Sequence, residues 1–336
     1  MTLSQALRSA CLTALGLAAS TGVLAQPTID WSGLAWIDYS YTLASDDPEE
    51  EGANTFDYRR IYLTADAPLG DGFRARVRLE AQGRSTTAQG RPAPFVKDAW
   101  AAWTYTASGH RAVLGVQPPP LFQVAEATWG YRSLDKTVID RARVRDSRDF
   151  GLRLEGPLAS GGALRYAAMI GNGNGVQPEP RGEGSKHYYG QLQYIPDGPL
   201  RATLGADYTS RVPLSVQREA SSQVSAFVGA VTPAYRVGVD VFYVRNTFDD
   251  PAQEDNDGVG ASAFAVVNAS PRTALIARYD YLDDDVRLTG GNQHYVLGGA
   301  AFRPTPNVAL VPNVLATQPE GGDATVLGRV TVDVRF

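Results

Sequence analysis

The sequence predicts an all-β chain: a transmembrane antiparallel up-and-down β-barrel of sixteen strands, with a long third loop folded into the lumen. Three observations predict it. The C-terminal segment alternates in polarity and ends on an aromatic ring, the same alternation recurs along the chain, and the connections are short and long by turns.

The first 25 residues stand apart from this pattern. Ala10 to Ala19 form a short apolar run behind Arg8, and Val23-Leu24-Ala25 precede a break at Gln26, as in a cleaved signal peptide. A buried N-terminal helix is the alternative, but the run gives way to Ser20, Thr21, Gly22 and Pro27. Residues 1–25 are therefore expected to be an export signal and residues 26–336 the barrel domain. Cleavage removes Cys11, the only cysteine, so neither a disulfide nor a thiolate metal site is expected, and no cofactor. It leaves 30 Lys and Arg against 36 Asp and Glu, a net charge of −6 that disfavours nucleic acid as a partner. No other segment approaches the roughly 18 apolar residues of a membrane-spanning helix, whereas a spanning strand needs only about 10.

Strands are read from a side-chain period of 2. From Phe73 to Gln82 the apolar residues share one parity, and Arg74, Arg76, Arg78 and Glu80 share the other. Four charges on one face disrupt a packed core but suit the wall of a water-filled lumen. Weaker versions occur at 29–41, 56–67, 95–105, 111–117, 148–156, 163–172, 186–195, 200–209, 222–231, 235–246, 258–267, 273–282, 293–302 and 307–316. The last strand, 323–336, places Val326, Val330, Val332, Val334 and Phe336 on one face and Arg329, Thr331, Asp333 and Arg335 on the other. Terminal residues of soluble domains fray in water, so an end on Phe336 suits a strand that closes a barrel in lipid.

The connections separate two ends. Pro68 to Gly72, Thr106 to His110, Pro157 to Gly162, Pro196 to Pro199, Thr232 to Ala234, Asn268 to Arg272 and Arg303 to Pro306 read as tight turns. Between them lie longer loops: Thr42 to Thr55, Gly83 to Pro94, Pro118 to Ser147, Gly173 to Ser185, Ser210 to Ser221, Thr247 to Asp257, Asp283 to Asn292 and Thr317 to Gly322. Short periplasmic turns and longer outer loops are the asymmetry of an outer-membrane barrel. Both termini fall on the short-turn side. Tyr39, Tyr41, Trp103, Tyr105, Tyr188, Tyr194, Tyr243, Tyr279, Tyr281, Tyr295 and Phe336 lie near strand ends, where girdles are expected.

Several motifs carry a resemblance. Phe56-Asp57-Tyr58-Arg59-Arg60-Ile61-Tyr62-Leu63, Lys97-Asp98-Ala99-Trp100, Leu114-Gly115-Val116-Gln117-Pro118 and the stretch from Tyr131 to Gly156 resemble the bacterial outer-membrane porins, most of all the phosphate-selective porin O and P family. Ala277-Arg278-Tyr279-Asp280-Tyr281 and Tyr295-Val296-Leu297-Gly298-Gly299 look like the penultimate strands of many porins. The resemblance implies a sixteen-stranded homotrimer inserted by the barrel-assembly machinery through a C-terminal aromatic signal, here Phe336. It also implies a water-filled channel for passive diffusion of small hydrophilic solutes, with a preference for anions or phosphate. The chain departs from that family in having three lysines, Lys97, Lys136 and Lys186, where phosphate capture relies on clustered lysines.

The candidate site is the third long loop and the wall it faces. Loops as long as Pro118 to Ser147 are usually functional or disordered, and the equivalent loop of porins narrows the lumen. It carries Arg132, Lys136, Arg141, Arg143 and Arg145 and leads to Arg148; Arg60, Arg74, Arg76 and Arg78 are expected opposite. Guanidinium groups stay charged at any relevant pH, so a ring of them attracts anions. The competing reading pairs them with Glu80, Asp98, Asp135, Asp140 and Asp149 in a network that pins the loop. The acidic runs at Asp46 to Glu51, Asp249 to Asp257 and Asp283 to Asp285 read as solvated loops, or as sites where divalent cations bridge to lipopolysaccharide. Asp255-Asn256-Asp257-Gly258 lacks the ligand pattern of a calcium loop, and Gly171 to Gly175 reads as turn chemistry.

Two rival functions have different requirements. A phospholipase-like barrel enzyme needs a nucleophile with a histidine base, but His110, His187 and His294 sit in no recognisable nucleophile motif, and a girdle role is expected for the last two. A secreted β-sandwich binding protein needs apolar faces packed on each other and has no use for alternating loop lengths.

Overall fold

The computed structural model describes residues 28–83, 86–177, 185–210, 218–248 and 252–336. The expected export signal, residues 1–25, lies outside them, as do parts of four long connections. The strands are β1 (Asp30–Ala44), β2 (Asn54–Gly70), β3 (Phe73–Ala81), β4 (Phe95–Thr104), β5 (Arg111–Gln117), β6 (Asp149–Pro157), β7 (Leu164–Gly171) and β8 (His187–Tyr194). They continue as β9 (Leu200–Ser210), β10 (Arg218–Val231), β11 (Tyr235–Phe248), β12 (Asn256–Ser270), β13 (Thr273–Asp283), β14 (Asn292–Thr305), β15 (Val308–Pro319) and β16 (Thr325–Arg335). Two short helices, α1 (Gln123–Trp129) and α2 (Val138–Arg141), interrupt the connection between β5 and β6.

Each strand pairs antiparallel with its neighbours in sequence, and β1 pairs with β16, so the sheet is a closed sixteen-stranded barrel. Closure matters because an open sheet edge in lipid would leave a row of backbone groups without partners. The last residue completes it. The Gly33 amide donates to the Phe336 carbonyl at 2.7 Å, and the Phe336 amide donates back at 3.0 Å. The Phe336 ring covers Gly33 so closely that a Cβ there would stand 2.3 Å from it.

Alternation along β11 shows how the faces divide. Val237, Val239, Val241 and Tyr243 are exposed on the outside, while Asp240, Phe242 and Val244 are buried inside. The outer band continues through Leu114, Leu204 and Val224, each more than half exposed, which is the surface a bilayer covers. At the short-turn end Phe73 and Trp103 stack outside at 5.6 Å, and Asp71 and Gly72 both take the positive φ of a tight hairpin turn. At the long-loop end Tyr279 bonds to His294 at 2.7 Å on the outer face.

The alternating connections stand as expected, with three differences. β2, β10, β12, β14 and β15 run past the segments that alternate, because beyond the bilayer both faces are wet and the ladder needs no apolar side. Tyr295 and His187 are not girdle residues: both are buried in the lumen, Tyr295 against Asp135 and His187 against Asp207. The third loop is not irregular, since α1 and α2 give it local order. Deleting Phe336, or replacing Gly33 with Leu beneath its ring, is expected to lower the yield of folded barrel, measured as the heat-modifiable band in membrane fractions. Normal yields for both changes would show that this contact does not close the sheet.

Candidate functional site at the lumen eyelet

The third connection, residues 118–148, enters the lumen because its apolar side chains meet an apolar wall there. Trp129, Tyr131 and Leu134 pack with Phe264, Ile276 and Leu297 in one cluster. Phe122, Val138 and Ile139 pack with Met169, Phe242 and Val244 in a second. Each fully buried side chain of this size contributes about 1.5–3 kcal/mol. The loop is thereby pressed onto the inner faces of β7, β8 and β10 to β15.

Ionic contacts fix the loop in register. Arg278 is buried, pairs with Asp280 at 2.7 Å and donates to the Lys136 carbonyl. The Tyr295 hydroxyl donates to Asp135 at 2.7 Å. Burial opposes ionisation of Asp135, but Arg278, the Tyr295 hydroxyl and Arg141 outweigh it and hold its carboxyl below the usual range. Arg59 and Arg329 both donate to the Leu134 carbonyl, at 2.8 and 2.9 Å. At the far end of the loop, Arg145 joins Asp207, which also takes a hydrogen bond from His187.

A cavity of about 210 Å³, the eyelet, lies between the loop and strands β1 to β4. Arg60, Arg78 and Lys97 line it from the wall, Arg132 and Arg148 from the loop side, and Arg335 from β16. Glu126 and Asp140 also line it. Glu80 pairs with Arg60 at 2.9 Å and with Lys97 at 3.0 Å, while Asp98 pairs with Arg78 at 3.2 Å and with Arg148. Counting the pairing partners Glu80, Asp98 and Asp333 with Glu126 and Asp140, six cations face five carboxylates. The Arg60 guanidinium lies over the neighbouring Trp36 and Tyr62 rings, at 5.1 and 5.4 Å, which limits its swing.

Two bulges concentrate this charge. The pairing of β1 with β2 skips Arg59, so Arg59 and Arg60 both turn inward, to Asp38 and Glu80 respectively. The pairing of β3 with β4 skips Lys97, and Lys97 and Asp98 are both buried on the inner side. A bulge inserts one residue and re-aims its neighbours, which strict alternation forbids.

Of the residues expected at the site, Arg60, Arg78, Arg132 and Arg148 meet at the eyelet. Lys136 and Arg132 share Asp140, at 2.9 and 3.0 Å. Arg76 pairs with Asp66 at 2.8 Å, nearer the short-turn end, and Arg74 lies exposed beyond it without an ion pair among the described residues. Arg141 stacks on Tyr295 at 3.8 Å, and Arg145 is buried in the wall, so both serve loop anchoring rather than the eyelet. Arg143 is exposed, with a φ of 55°. Asp149 takes bonds from Tyr189 and Gly173 in place of an arginine. Sequence reasoning missed Arg59, Lys97, Arg278 and Trp36. Only the adjacent pairs Arg59-Arg60 and Lys97-Asp98 hinted at them, as charges breaking the alternation.

No family model matches the chain, and no curated protein matches it. Solved structures do. The fold is similar to an anion-selective porin from Comamonas acidovorans, at 13% identity over 93% of this chain and 100% of that one, with a TM-score of 0.70. It is also similar to OmpT, an outer-membrane protein of Vibrio cholerae, and to OmpF of Salmonella typhi, solved with daunomycin. Each of these is 11% identical over 93% of this chain and 98% of that one, with a TM-score of 0.67. The fold is thus the sixteen-stranded barrel of outer-membrane porins.

Replacing Arg278 with Ala leaves Asp280 and Asp135 short of their buried partner, and is expected to cost about 3–5 kcal/mol in denaturant unfolding. The same variant is expected to expose the loop to proteolysis in the folded barrel. A loop that stays protected would show that packing alone anchors it.

Proposed function

We propose that the chain is an outer-membrane diffusion channel that favours small anions. The observation that carries this is the eyelet, where six cationic side chains face five carboxylates between loop and wall. A carboxylate that neutralises an arginine still leaves the remaining guanidinium donors to meet a passing anion. The similarity in fold to an anion-selective porin supports the reading.

Residues 1–25 act as a cleaved export signal in this reading, and residues 26–336 form the channel domain. Phe336 is the signal read by the barrel-assembly machinery, and lipopolysaccharide meets the acidic outer loops. A homotrimer is the proposed assembly; one solved OmpT form is described as a trimer. No catalytic step is assigned to the histidines: among the described residues their rings bond to Tyr166, Asp207 and Tyr279, and to no Ser, Thr or Cys side chain.

In planar bilayers under a tenfold KCl gradient, the reversal potential is expected to show chloride preferred over potassium. Arg60→Gln with Arg132→Gln is expected to move it toward zero or beyond, with folding unchanged. Cation preference in the unaltered protein would overturn the proposal. Phosphate added at millimolar levels separates a general anion pore from a phosphate-preferring one, since only the latter loses chloride current.

A further inference from the structure

A second cavity, of about 600 Å³, opens into the lumen on the short-turn side of the loop, away from the eyelet. Arg236 of β11 and Arg303 of β14 both face it, joined by Tyr131, Asn268 and Ser270. Neither arginine has a carboxylate partner among the described residues, unlike Arg60, Arg78 and Arg148 at the eyelet. Asp333, the carboxylate of the adjoining space, is taken by Arg335 at 2.9 and 3.2 Å.

The two guanidinium groups are nonetheless held in place. Arg236 donates to the Ala127 carbonyl at 3.1 Å and lies against Gly130, where a Cβ would stand 2.5 Å from its Nη1. Arg303 donates to the Tyr131 hydroxyl at 2.8 Å and sits over that ring at 5.4 Å. Each contact uses one of five donors and leaves the others for a ligand. Tyr131 accepts from Arg303 and Ser270 accepts from the Arg272 amide, so both hydroxyl protons remain free to be donated.

We propose that this cavity is a binding site for small organic dianions, specifically dicarboxylates, reached from the short-turn side. Two preorganised guanidinium forks without internal counter-charges match two carboxylates, each of which pairs best with one fork. The volume falls in the range of about 300–1,000 Å³ typical of organic ligand sites. A site that only capped α1 and propped Tyr131 would need one arginine at each contact, but no shared open space between them.

Succinate and acetate, titrated at matched ionic strength into the detergent-folded chain by calorimetry, test the site directly. Succinate is expected to bind at least about tenfold more tightly than acetate. Arg236→Gln with Arg303→Gln is expected to weaken succinate by about tenfold or more, while Arg74→Gln leaves it unchanged. Equal affinities, no succinate binding, or binding that survives the double change would overturn the proposal. If the double variant fails to fold, Arg303→Gln alone is read, since its side chain holds the loop only through Tyr131. The site rests on the channel reading only for its access. Succinate on the short-turn side should reduce chloride current in the unaltered protein and leave the double variant unaffected. A chain that binds succinate but passes no current would refute the channel reading alone; one that conducts without binding would refute the site alone.

Discussion

Every backbone amide and carbonyl within a bilayer must find its partner in the protein, and this requirement governs the rest of the structure. Sixteen strands meet it only if the last pairs with the first. The two Gly33–Phe336 hydrogen bonds and the ring laid over Gly33 finish that pairing at the short-turn end. Once the sheet is closed, every residue faces either lipid or lumen, and the alternation of β3 or β11 becomes a division between two solvents.

The lumen is not uniform. Its wall from β10 to β15 is largely apolar and receives the third connection as a soluble core would, through Trp129, Leu134 and their partners. The wall from β1 to β4 is aromatic and charged and meets the loop through polar contacts, Arg59 to the Leu134 carbonyl and Asp98 to Arg148, around the eyelet cavity. The loop position is thus a consequence of where apolar residues sit on the inner face. Buried ion pairs around Arg278 and Arg145 then set its register, since displacement would strand charges away from water.

Charge is arranged along the barrel axis as well as across it. At the eyelet nearly every cation has a carboxylate at contact distance, which keeps the long side chains rigid and leaves a small positive excess. Toward the short-turn end, Arg74, Arg236 and Arg303 lack such partners among the described residues. The long loops are acidic, with Arg287 drawn between Asp285 and Asp257 at 3.1 and 3.6 Å.

The sequence alone determined the architecture. A side-chain period of 2 and turns rich in Gly and Pro are local properties, and they were sufficient for the strand count, the order of short and long connections, and the two ends of the barrel. It also marked the third loop and four of the eyelet residues, Arg60, Arg78, Arg132 and Arg148. What it could not contain was the pairing register. The bulges at Arg59 and Lys97 exist only in relation to β1 and β3, and they bring two further cations to the inner side. Nor could it show that Tyr295, His187, Arg141 and Arg145 serve the loop, because that depends on which half of the wall the loop touches. Only the closed barrel decided that, by setting an apolar inner face against an apolar loop.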